Sequence, residues 1–196
     1  KAAELKAHAI VVECMAIEPD LQAVSEERMI RSTIGVITNV RPDHFEVMGD
    51  NLDEIAMSLS RTIPTHAYFI TADHRYFPFF AQCAKQKATE AVLAKGVDDP
   101  SVPASPAVEH QSIVREVCAR LKIALPDTQA GDCHGREKKV LQLTAGAKDI
   151  CFLDAFSAND PESMAILESS LFNTPGFPRP YVALLNNRAD RPLRMT

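Results

Sequence analysis

The sequence predicts an α/β fold with mostly parallel sheets and crossover helices, on three observations. Short continuous apolar runs recur along the 196 residues: "AIVVECMA" (9–16), "TIGVITNV" (33–40), "HAYFITAD" (66–73), "ICFLDAF" (150–156) and "YVALLN" (181–186). Strands covered on both faces read this way, because neither face can be polar. Helical stretches lie between the runs, and that alternation implies parallel sheets with both faces covered. The runs also end in polar residues, and open α/β sheets gather their ligands at the carboxyl ends of the strands.

The elements follow in order. The run 9–16 is expected as a strand ending in Glu13, and "DLQAVSEERMIRS" after it is rich in helix formers. The β-branched run 33–40 is the second strand. Asp50 or Asn51 can cap the next helix, with Asp53 and Glu54 in its first turn and Leu52, Ile55, Ala56, Leu59 and Ile63 at helical spacing up to Pro64. The run 66–73 is a third strand. A helix over 76–86 carries Pro78 in its first turn. "ATEAVLAKG" fits a fourth strand or a helical turn, and a Pro/Ser/Asp loop covers 97–106. Ser105 and Pro106 then begin an amphipathic helix whose stripe is Ile113, Val114, Val117, Cys118 and Leu121. Residues 126–139 form a polar linker and the expected domain boundary. Beyond it come the strand 150–156, a helix from Pro161 to about Phe172, and the strand 181–186.

Composition narrows the function classes. A net charge of −5 without a Lys/Arg cluster argues against a nucleic-acid surface. There is no run of 18 apolar residues and no signal-peptide pattern. Five cysteines show no CxxC pair; Cys14, Cys118 and Cys151 are expected as buried free thiols, and Cys133-His134 as a loop. Both ends look cut, so the chain is expected to be a piece of a larger protein.

The strand ends carry more chemistry than turns require. Glu13 ends the first strand, where desolvation is costly without a partner such as Mg²⁺. Thr38-Asn39 end the second, with Asp43 and His44 just beyond, although a hydrogen-bonded loop histidine explains His44 as well. Thr71, Asp73 and His74 end the third. Asp154, Ser157, Asn159 and Asp160 follow the fourth run, where Asp160-Pro161 suits either a plain helix start or an anion site at a helix N-terminus. Asn186-Asn187 end the last, followed by Arg188, Asp190 and Arg191, which suit an anionic ligand or an internal salt bridge. Neither GxxxxGK[ST] nor GxGxxG occurs among the seven glycines.

"TNVRPDHFEVMG" resembles the TN-x-x-x-DH-x-x-x-x-G signature of the Mur ligase superfamily of ATP-dependent amide ligases. "VVECMAIEPDLQ", "DAFSANDPES" and "NNRADR", taken with it, resemble more narrowly the catalytic subunits of poly-γ-glutamate synthases in capsule biosynthesis. The resemblance covers roughly residues 9–80 and 140–194. It implies a partial Mur-ligase-like central domain over 1–130 and a partial, smaller Rossmann-like domain over 137–196. It further implies Glu13 and His44 as a metal pair, Asn39, Asp43, His44 and Asn159 as catalytic, and ATP and Mg²⁺ as cofactors. Asn39, Asp154, Asn159, Asp160, Arg188, Asp190 and Arg191 would contact the nucleotide. The implied reaction activates a glutamate γ-carboxylate as an acyl phosphate, which the amine of another glutamate attacks. Implied partners are growing poly-γ-glutamate, membrane-bound capsule subunits at the inner face of the membrane, and an upstream portion bearing the phosphate loop. One departure stands out: residues 50–84 contain no lysine, where relatives carry a carbamylated one. Another Mur-like ligase, of folylpolyglutamate or muropeptide type, and a non-catalytic nucleotide-binding module remain alternatives.

Overall fold

The structure is a computed structural model that describes residues 4, 6–95, 106–125, 140–145, 148–153 and 161–172. Its first sheet has the order β1–β2–β3, with β1 at Ile34–Ile37, β2 at Tyr68–Thr71 and β3 at Glu90–Leu93. Both pairings are parallel, in the register Ile34↔Tyr68↔Glu90 to Ile37↔Thr71↔Leu93. "ATEAVLAKG" therefore supplies a strand. Parallel neighbours need crossovers. Helix α3 (Leu52–Leu59) joins β1 to β2, and α4 (Phe77–Gln86) joins β2 to β3. Upstream, α1 (Pro19–Val24) continues into a π-helical turn over Ser25–Ile30. A single turn, α2 (Phe45–Met48), precedes α3, and α5 (Pro106–Arg120) is the long helix of this half.

The central strand shows why both faces must be apolar. Phe69 packs on one side with Ile37, Ile55, Ile63 and Phe80, while Ile70 packs on the other with Ala72, Ala94 and Ile113. Successive strand residues point to opposite faces, so α3 and α4 cover one side and α5 the other. The Phe69 and Phe80 rings meet edge to face, 5.6 Å apart. Full burial of each such ring stabilises the fold by about 1.5–3 kcal/mol. Gly35 in β1 is required by a close approach, since a Cβ there would run into the Pro64 ring. The stripe expected on α5 is narrower than its sequence suggested: Ile113 is buried and Val117 packs beside it, but Val114 and Leu121 are exposed.

Two expectations are corrected. The run 9–16 is not a strand: it is irregular, with Ile10, Val11, Val12 and Met15 all exposed, and so are Glu13 and Cys14. No strand pairs with it among the described residues, and an unpaired run gains nothing from strand propensity. The second correction concerns sheet direction. β4 (Val140–Ala145) and β5 (Lys148–Leu153) pair antiparallel, from Val140↔Leu153 to Ala145↔Lys148. Two residues separate them, a length that permits a hairpin and forbids a parallel crossover. Helix α6 (Pro161–Phe172) follows as expected. The linker 126–139, the strand 181–186, Cys133, His134 and the cap at Ser105 lie outside the described residues.

Candidate functional site

The carboxyl ends of β1 and β2 make one rim. β1 ends at Ile37, so the backbone of Asn39 and Val40 has left the ladder and needs other partners. Asp73, two residues beyond β2, supplies one. Its Oδ2 accepts the Val40 N–H at 2.8 Å and its Oδ1 accepts the Tyr76 N–H at 2.9 Å. The Asp73 N–H in turn donates to Thr71 Oγ1 at 3.1 Å.

Helix α5 brings a carboxylate to the same place. Glu109 Oε2 lies 3.5 Å from Asn39 Nδ2 and 3.8 Å from Arg41 Nη2. These are long contacts, closer to electrostatic attraction than to short hydrogen bonds. Arg41, largely buried, also donates from its guanidinium to Ser163 Oγ on α6.

His44 holds an unusual backbone. Its φ of 54° places it in the left-handed region, which histidine tolerates better than most residues but still at some cost. Asp43 Oδ1 accepts the His44 N–H at 3.0 Å. Around the ring, Asp43 Oδ2 lies 3.6 Å from Nε2 and Glu46 Oε1 lies 3.4 Å from Nδ1. The imidazole is thus flanked by two carboxylates, an arrangement suited to orienting the ring. The motif closes at Gly49, whose φ of 136° and position against Glu54 leave no room for a Cβ. Glu54 then organises the start of α3: its Oε2 accepts the Asp50 N–H at 2.7 Å, and its own N–H donates to the Asn51 cap at 3.0 Å.

A further contact lies between the two crossover helices. The Tyr76 hydroxyl donates to Asp53 Oδ1 at 2.7 Å, joining α4 to the first turn of α3. Burial first, and then this hydrogen bond, raise the Tyr76 phenol above its ordinary 10.0.

Of the residues singled out in the sequence, Asn39, Asp43 and His44 follow the carboxyl end of β1, and Asp43 and His44 are in contact. Glu13 borders a hollow alongside Glu26, Ser32 and the β1 residues Gly35 and Val36. Asp154, Asn159, Asp160, Arg188, Asp190 and Arg191 lie outside the described residues. Carboxylate oxygens suit Mg²⁺ by chemistry, yet among the described residues no three His, Cys, Asp or Glu side chains converge to hold a metal. Arg41 and Glu109 were not singled out. Glu109 was within reach of the strand-end rule, because the first turn of a helix following a strand faces the same rim.

Residues 140–196 match the family of the poly-gamma-glutamate synthase CapB C-terminal domain. The chain is 31% identical over 179 residues to the "Capsule biosynthesis protein CapB" of Bacillus anthracis, covering 83% of this chain and 37% of that protein. It is also 31% identical over 201 residues to the "PGA synthase CapB" of Bacillus subtilis (strain 168), covering 96% of this chain and 50% of that protein. The chain thus spans half the length of these curated relatives or less. Among solved structures it is similar to E. coli FolC in complex with DHPP and ADP, with a TM-score of 0.51 and 12% identity over 76% of this chain and 40% of that one. At that identity the likeness concerns the fold, which is of the Mur-ligase type.

Proposed function

We propose, from a chain that belongs to the CapB-type poly-γ-glutamate synthases, that the longer protein containing it is an ATP-dependent amide ligase joining glutamates into a capsule polymer. The observation that supports this most is the motif of Thr38 to Gly49, with Asn39, Asp43 and His44 on one rim of a parallel sheet. ATP transfers its γ-phosphoryl group to a glutamate γ-carboxylate, and ADP leaves. The amine of a second glutamate attacks the acyl phosphate, which releases phosphate and forms the amide. The first step relies mainly on positioning and charge neutralisation, so it requires no protein nucleophile.

Within this proposal Asn39, Asp43 and His44 face the nucleotide phosphates, whose charge Mg²⁺ would neutralise when bound. Asp154, Asn159, Asp160, Arg188, Asp190 and Arg191 are the candidates for contact with the same nucleotide from a second domain, with the boundary proposed within 126–139. The family match at 140–196 supports that division. A metal-facing role for Glu13 requires the run 9–16 to join the edge of β1 that has no partner among the described residues. An upstream portion bearing the phosphate loop, and membrane-bound capsule subunits, complete the assembly. No helix among the described residues is long and apolar enough to cross a membrane.

The alternative of a non-catalytic nucleotide-binding module is favoured by one observation, the exposure of Glu13 on a run that pairs with no strand among the described residues. ADP release by the full-length protein decides between them. Release that requires both Mg²⁺ and glutamate and is lost in His44→Ala and Glu13→Ala supports the ligase. Nucleotide binding without turnover supports the module. Normal turnover in both variants overturns the metal-facing assignment.

A further inference from the structure

The geometry points to Asp73 as the positioning residue of the motif loop, through the peptide plane that carries Asn39. The inference rests on the ligase function proposed above. The Val40 N–H belongs to the peptide joining Asn39 to Val40, and Val40 is only 6% exposed. That N–H lies three residues beyond the end of β1, where no ladder acceptor serves it. Asp73 Oδ2 serves it at 2.8 Å, from 33 residues away in sequence. Holding this plane restrains the backbone from which the Asn39 side chain leaves the rim.

Asp73 is itself held on three sides. Its second oxygen accepts the Tyr76 N–H at 2.9 Å, its own N–H donates to the fully buried Thr71, and its carbonyl accepts the Phe77 N–H at 3.0 Å. A residue that only started α4 would need one carboxylate oxygen. The second oxygen is committed to the neighbouring strand's loop, and only an ionised carboxylate accepts from both N–H groups without presenting a hydrogen to either. Such charge-assisted bonds are among the stronger ones in proteins. Asparagine has the same shape but turns an NH₂ toward one of the two donors.

The test is kinetic, on the full-length protein that contains this chain. Asp73→Asn is expected to weaken ATP half-saturation or lower ADP release by about tenfold to a hundredfold, as when a supporting residue is lost behind a site. Half-saturation by glutamate stays within about twofold in that variant. Tyr76→Phe, which removes the bond to Asp53 but keeps both bonds to Asp73, is the control and leaves these parameters in place. If Asp73→Asn does not fold, Asp73→Ser replaces it, keeping an oxygen for Tyr76 and dropping the bond to Val40. Unchanged ATP half-saturation and turnover overturn the inference, and so does an equal loss for ATP and glutamate, which marks a plain structural cap. A wild-type protein that releases no ADP in response to glutamate overturns the ligase function instead. In that case hydrogen exchange at the Val40 amide still reads the clamp: slow in wild type and fast in the variant supports it, equal rates refute it.

Discussion

Two apolar runs of eight residues, "AIVVECMA" and "TIGVITNV", border the same hollow, and only the second forms a strand. The second has a neighbour: Ile34 to Ile37 pair residue by residue with Tyr68 to Thr71, and Ile37 enters the core. The first has none among the described residues, and Val11 is 100% exposed. Strand propensity reports which side chains tolerate a pleated, half-buried surface, and a partner must supply the other half. The same contrast separates the candidate residues. Asn39 and His44 sit on a rim fastened by β2, α4 and α5, while Glu13 sits on a segment that a strand neighbour would have to fasten.

The largest effect that sharpens this contrast is expected in the core. Phe69→Ala should destabilise the fold by about 3–5 kcal/mol, through lost burial and the cavity left behind. Val11→Ala, on the unpaired run, should change stability by less than about 0.5 kcal/mol. Denaturant unfolding of both variants checks this, and a large loss from Val11→Ala would mean that the run is packed after all. Next in size is Gly49→Ala. It combines a strained φ with a collision against Glu54 and should cost about 1–3 kcal/mol in the same assay.

The smallest effect is a pH dependence. Because the Tyr76 phenol is raised above its ordinary value, the folded protein keeps this proton after the unfolded chain has released it. Its contribution is complete below about pH 10 and declines as pH rises through the folded value. Tyr76→Phe should flatten that alkaline decline, as urea melts between about pH 9 and 11 would show. An identical decline in the variant would place its source elsewhere.

What could be read from the sequence was what local chemistry determines. Asn51 caps α3 with Glu54 three residues on, Pro78 lies in the first turn of α4, and the β-branched run gives β1. β1 ends at Ile37, just before the motif residues Asn39, Asp43 and His44. Pairing and long-range partners could not be read in the same way. The run 9–16 has the letters of a strand without a neighbour among the described residues, and β4, "VLQLTA", is only partly alternating. Arg41 finds Ser163 across 122 residues and Asn39 finds Glu109 across 70, contacts that no local pattern encodes.

The central claim is that the Asn39–His44 rim faces the phosphates of ATP, and the most direct measurement is the structure of the full-length protein with Mg²⁺ and ADP bound. The expected result is direct contact of Asn39 or His44 with the diphosphate or its magnesium, with the 9–16 segment paired beside β1. A nucleotide bound elsewhere, with that rim open to solvent and Glu13 still exposed, would contradict it.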